Sequence, residues 1–179
     1  MENKIQKTKQ PLSELVFDKE RFRDVGYFQE TINCEPPQSW VKSHPAIKNY
    51  RYIPIDIVEY LLRSIFQSWE WSVVDYKVIA NAITVHGRLR VQHPVTGEWL
   101  SYDGLGAVDV QLKSGSNPTD FTSIVHGAIQ KNLPAAESYA LKDAAEKLGK
   151  LFGGSLNRAD DNNGSFKSPY SRWTIEEQA

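Results

Sequence analysis

The stretch AAESYALKDAAEKLGKLFGGSLNR, residues 135–158, decides how this chain is read. Ala136, Ala140 and Ala144 recur at four-residue spacing, and Leu148 and Phe152 continue the row, so a helix here carries one narrow stripe of small and apolar side chains. Small residues on a stripe let another layer approach very closely. Lys142, Lys147 and Lys150 fall off the stripe and are expected to reach solvent or a partner. Gly153 and Gly154 supply the positive φ that ends a helix, so the helix is expected to run to Phe152. A core helix with a solvated face satisfies all of this, and the strand pattern ahead of it is what points further.

Residues 83–92, ITVHGRLRVQ, alternate strictly. Ile83, Val85, Leu89 and Val91 share one face with Gly87, while Thr84, His86, Arg88, Arg90 and Gln92 share the other, as in a half-buried strand. Arginines two residues apart on one pleated face present forked donors about 7 Å apart, close to the spacing of phosphates along a single strand. The polar outer face of an ordinary antiparallel sheet gives the same pattern. His93-Pro94-Val95-Thr96-Gly97 then turns the chain, and Glu98–Gly104 returns it as a hairpin.

Outward from this hairpin, Pro54, Asp56 and the apolar series Ile57, Val58, Leu61, Leu62, Ile65 and Phe66 predict a helix over 54–67. Residues 70–106 are expected to form three antiparallel strands, and 113–120, KSGSNPTD, a loop. Asp120 is positioned to cap a helix running through Phe121, Ile124, Val125 and Ile129 toward a break at Pro134. Between 21 and 50, Pro36-Pro37 and His44-Pro45 break helices, and Trp40 and Ile47 are expected to anchor an irregular segment. The fold class is α+β: a curved three-stranded antiparallel sheet packed on a long helix, with a preceding helix. The expected organisation is a flexible N-terminal arm over 1–20, one domain over 21–158, and a tail over 159–179 in which Phe166, Tyr170 and Trp173 could dock on a neighbour.

Across its 179 residues the chain has a formal net charge of −1, so any nucleic-acid binding must use a localised basic surface. The lone Cys34 excludes an intramolecular disulfide, and no apolar run matches a membrane span or a signal peptide, which leads to the expectation of a cytoplasmic protein with no membrane partner. No phosphate-loop signature is present, the four histidines are scattered, and Cys34 lacks the surroundings of an activated thiol. A protein without a cofactor, a metal or catalytic residues is expected. The alternative with catalysis is a metal-dependent nuclease built on Asp103 with Gln111 and Lys113 on a neighbouring strand. A second alternative is a non-catalytic oligomeric scaffold.

Three motifs carry a resemblance. Tyr52-Ile53 leads into an apolar helix to Phe66 and Trp71, Leu89-Arg90-Val91-Gln92 leads into Asp103-Gly104-Leu105-Gly106, and Ala140–Lys150 closes in Phe152-Gly153. Over residues 50–158 the chain resembles the Rad fifty-two superfamily of single-strand annealing proteins, especially its compact phage and bacterial members. The resemblance implies a β-β-β-α annealing domain that assembles into rings or helical arrays in a bacterial or phage-infected cell. It implies single-stranded DNA in a positive groove between sheet and helix, and ATP-independent annealing of complementary strands in recombination and repair. A single-strand-binding protein is a further candidate partner. Lys147 and Lys150 fall where the family places basic groove residues, and Arg88 and Arg90 lie on the hairpin that lines the groove; Lys142 and Arg158 complete the candidate nucleic-acid-binding set. Glu146 and Ile57 depart from the eukaryotic members, which carry basic residues there, so the DNA contacts are expected to differ in detail.

Overall fold

The computed structural model describes residues 25–44 and 47–158. The arm over 1–20 and the tail over 159–179 lie outside the described residues. In chain order the elements are α1 (Val25–Ile32), a 3-10 turn (Gln38–Trp40), β1 (Lys42–Ser43), β2 (Arg51–Tyr52), α2 (Ile55–Ile65), β3 (Trp69–Ile79), β4 (Ala82–Gln92), β5 (Trp99–Asp109), a 3-10 turn (Phe121–Ser123), α3 (Ala128–Glu146) and a last 3-10 turn (Lys150–Phe152). The α+β architecture is as read from the sequence: β3, β4 and β5 form an antiparallel sheet against the long helix α3, with α2 preceding them.

The alternating strand becomes β4, the middle of the sheet, with Val85 opposite Gly106, Gly87 opposite Gly104 and Leu89 opposite Tyr102. Ile83, Val85, Leu89 and Val91 are buried on the inner face, where α3 lies. Ala136, Ala140 and Ala144 have no exposure at all, because the partner they admit is the backbone of β5. A Cβ built on Gly104 would stand 2.0 Å from the Ala140 carbonyl oxygen, and one on Gly106 would stand 2.0 Å from that of Ala136. The small-residue stripe is therefore spent inside the domain, where α3 rests directly on the β5 backbone at Gly104 and Gly106.

The bounds of α3 differ from the sequence reading at both ends. The helix begins at Ala128, after Gly127 at φ 77°, and passes through Pro134 instead of breaking there. Asp120 caps only the short turn at Phe121–Ser123, accepting from the Thr122 N–H. A proline inside a helix costs about 3 kcal/mol. Here burial of Ala128 and Ala136 and the bond from Asn132 Nδ2 to the Asp109 carbonyl (2.9 Å) hold the early turns against β5 and outweigh it. At the other end α3 stops at Glu146, six residues short of Phe152. Gly149 lies so close to α1 that a Cβ on it would strike the Ile32 carbonyl, which a continuing helix could not accommodate, and the positive φ of 99° at Gly153 then turns the chain.

Helix α1 and the two-residue ribbon β1–β2 were not read from the sequence. An eight-residue helix is too short to persist alone, and α1 is held by tertiary contact, with the Phe28 ring 6.0 Å from Phe66 and 4.4 Å from His93. Phe28 and Ile32 join Val58, Leu61, Leu62 and Ile65 of α2, Leu89 and Val91 of β4, and Leu151 and Phe152 in the main core. Trp40 packs against that core as expected, whereas Ile47, expected to anchor beside it, is 53% exposed. No helix among the described residues is long and apolar enough to cross a membrane.

Candidate nucleic-acid interface

The turn from α3 into Gly149 and the last 3-10 turn brings Lys147, Lys150 and Arg158 to one side of the domain, opposite the segment following α1. Together with Arg51 of β2 they line a cleft of about 670 Å³, whose floor includes Gly149 and Gly154. Four basic side chains face two carboxylates there, Glu35 and Glu146. Lys150 Nζ is 3.1 Å from Glu35, and Lys147 reaches Asp143 at 3.3 Å and the Asp103 carbonyl. Arg51 donates to the Leu156 carbonyl at 3.0 Å while its backbone exchanges hydrogen bonds with the Asn157 amide, fastening the chain after α3 to β2. Burial and the neighbouring Asp143 push the Glu146 carboxyl up to about 7, so near neutral pH Glu146 opposes these cations with only part of a full charge.

Lys142 is set apart from those three. It lies in an adjoining cleft, also about 670 Å³, that meets the first at Glu146. Its ammonium stands 4.7 Å from the centre of the Tyr52 ring and 4.3 Å from that of Tyr139, and burial pulls its pKa down.

Arg88 and Arg90 are not in either cleft. They project from the outer face of the sheet, the side away from α3, and each is engaged by a carboxylate. Arg88 grips Asp103 through two bonds, 2.6 and 3.0 Å, and His86 adds a third contact at 3.0 Å. Hydrogen bonds from Arg88 and His86 hold the Asp103 carboxyl well below the usual carboxylate range. Arg90 pairs with Glu70 at 2.8 Å and lies 4.8 Å above the Trp99 ring. The hairpin arginines thus stand on the outer face, outside the lining of both clefts, and touch the lysine set only at the β5 edge, where Asp103 takes Arg88 on its carboxylate and Lys147 on its carbonyl.

Arg51 was absent from the sequence-derived set. The signal for it was the run Lys48-Asn49-Tyr50-Arg51-Tyr52, which interleaves basic and aromatic residues. The nuclease arrangement does not assemble. Asp103 and Gln111 lie along one continuous direction of chain, and the six residues from Asp103 to the end of β5 alone rise about 20 Å. Among the described residues no group of three or more histidine, cysteine, aspartate or glutamate side chains could hold a metal ion. Burial pushes the Cys34 thiol up to about 11, the opposite of nucleophile activation.

No family model matches the chain, and no curated protein matches it. Among solved structures it is similar to an NTF2-like protein of unknown function from Exiguobacterium sp. 255-15, at 12% identity over 60% of this chain and 91% of that one, with a TM-score of 0.25. A likeness of that size carries no argument about function.

Proposed function

We propose that this protein binds single-stranded DNA through the phosphate backbone and promotes its annealing to a complementary strand without ATP, in the manner of the superfamily it resembles. The observation that carries this reading is the concentration of Arg51, Lys147, Lys150 and Arg158 in one cleft of a chain whose net charge is −1. Lys147 and Lys150, whose carboxylate partners Asp143 and Glu35 are exposed, can exchange them for phosphates, and such exchange neutralises the backbone without reading base edges. Annealing needs both properties, because the bases must remain available to the incoming strand.

Avidity along an array strengthens modest contacts of this kind. The array is proposed to form through β3. The β5 edge is blocked at its middle, where Asp143 accepts from the Leu105 N–H at 3.0 Å and Lys147 donates to the Asp103 carbonyl. Strand β3 is the other edge, and its Val73, Val74, Tyr76, Val78 and Ile79 are exposed. Pairing this edge with a surface elsewhere on the next protomer gives a head-to-tail contact, which closes as a ring or grows as a helix.

The test is a mixing experiment with two complementary fluorophore-labelled strands and purified protein in nucleotide-free buffer. Acceleration of pairing over the protein-free rate with both strands intact is expected. Strand cleavage, or pairing no faster than in buffer, would overturn the proposal.

A further inference from the structure

The second cleft has a chemistry unlike the first. His44, Tyr50, Tyr52 and Tyr139 line it, and its charged lining is Lys142 against Asp56, Asp143 and Glu146. The His44 ring meets Tyr50 edge-on at 5.8 Å and Tyr52 at 6.2 Å. The chain's own Lys142 stands over one face each of Tyr52 and Tyr139, so the cleft is not a cage for an external cation. Carboxylates outnumber cations around it, so a phosphate gains nothing by entering. A neutral, planar group is what remains, and the cleft shares Glu146 with the basic one, so the two are neighbours. Tyr50 and Tyr139 are 37% and 38% exposed, so the fold does not close over either of them.

We infer that this aromatic cleft receives a nucleobase of the strand whose phosphates occupy the neighbouring basic cleft, stacked on Tyr139 with Tyr50 beside it. The inference rests on the proposed function and deepens it by adding a base-contacting subsite to a backbone-binding one. Stacking uses the π-face common to all four bases, so the subsite has no sequence preference, and it leaves the pairing edges of that base unbonded. A volume of about 670 Å³ is ample for one nucleoside unit. Lys142, in contact with the Tyr52 and Tyr139 rings, ties the Tyr139 platform to β2.

The experiment compares the full-length protein's affinity for oligothymidylate with its affinity for an abasic strand of equal length, which keeps every phosphate and lacks every base. Loss of one stacked base is expected to weaken binding of the abasic strand roughly 5- to 150-fold. Tyr139→Leu is expected to weaken oligothymidylate binding over the same range and to abolish the difference between the two strands, whereas Tyr139→Phe retains it. Equal binding of both strands by the unaltered protein would overturn the subsite while leaving the basic cleft standing. A difference that survives intact in Tyr139→Leu would overturn the assignment to Tyr139. Binding of neither strand at low salt would overturn the nucleic-acid reading and this inference with it. Should Tyr139→Leu fail to fold, Tyr50→Leu in the same cleft takes its place, and a difference that survives it intact would overturn the assignment.

Discussion

Replacing Gly104 by alanine is expected to destabilise the domain far more than one added methyl group suggests. The new Cβ would stand 2.0 Å from the Ala140 carbonyl oxygen and 2.6 Å from the Ala144 nitrogen. Ordinary contact begins near 3.4 Å, so α3 must retreat from β5 by about 1.4 Å. The obstructing atoms are helix backbone, and no side chain can rotate aside. Overpacking a tight contact costs about 1–3 kcal/mol, and a backbone obstruction places this case at the top of that range. Alanine restricts the unfolded chain and returns about 0.4–1 kcal/mol, leaving a net loss of roughly 2 kcal/mol. Thermal unfolding followed by circular dichroism should show Tm lowered by about 4–8 °C, with a matching loss in urea titration. Leu105→Ala, one residue along and 69% exposed on the outer face, should change stability by less than about 0.5 kcal/mol. A Gly104→Ala variant within about 0.5 kcal/mol of the unaltered protein would refute the close helix–strand contact, and with it the reason the basic residues gather beyond the helix end.

Two other outcomes are expected. Glu146, its carboxyl held at about 7 among Asp143, Lys142, Arg158 and Lys147, should make single-stranded DNA binding weaken as pH rises from 6 to 8, since ionisation adds a negative charge where both clefts meet. The folded pKa exceeds the unfolded value, so the stability that the proton confers is full below about 4.5 and lost as pH rises through about 7. In Glu146→Gln, titrated by fluorescence anisotropy across that range, this part of the pH dependence should vanish; an unchanged profile would remove Glu146 from the interface. Charge on the exposed edge strand, as in Tyr76→Asp with Val78→Lys, should convert assemblies to single protomers in light scattering without lowering Tm, and assemblies of undiminished mass would remove β3 as the contact.

The parts of the fold legible in the sequence were those in which periodicity reports burial directly. The alternation of residues 83–92 located β4 and assigned its faces correctly, and the apolar spacing from Val58 to Ile65 located α2. The alanine stripe announced a close neighbour, but only the register of β5, which sets Gly104 and Gly106 beneath it, shows that the neighbour is intramolecular. Pro134 misled because its local cost is overridden by contacts from β5 that no local window contains. Within the candidate site, Lys147, Lys150 and Arg158 were legible from their position around the glycine-rich end of the helix. Arg51 was not, because about a hundred residues separate it from the Leu156 and Asn157 groups that it contacts. Strand alternation placed Arg88 and Arg90 on the polar face, yet it could not reveal that Asp103 and Glu70 already engage them there.

The most direct test of the central claim is the salt dependence of single-stranded DNA affinity, measured for the unaltered protein, for Lys147→Ala with Lys150→Ala, and for Arg88→Ala with Arg90→Ala. Each phosphate neutralised on a single strand contributes about −0.7 to the slope of log affinity against log salt. Four cations in the cleft therefore predict a slope of roughly −2.8 per protomer, falling to about −1.4 when Lys147 and Lys150 are removed. The outer-face pair should leave the slope within about 0.5 of the unaltered value, less than a single phosphate contact. A flat response in the unaltered protein, or a slope that falls with the loss of Arg88 and Arg90 and not with the loss of Lys147 and Lys150, would contradict the account.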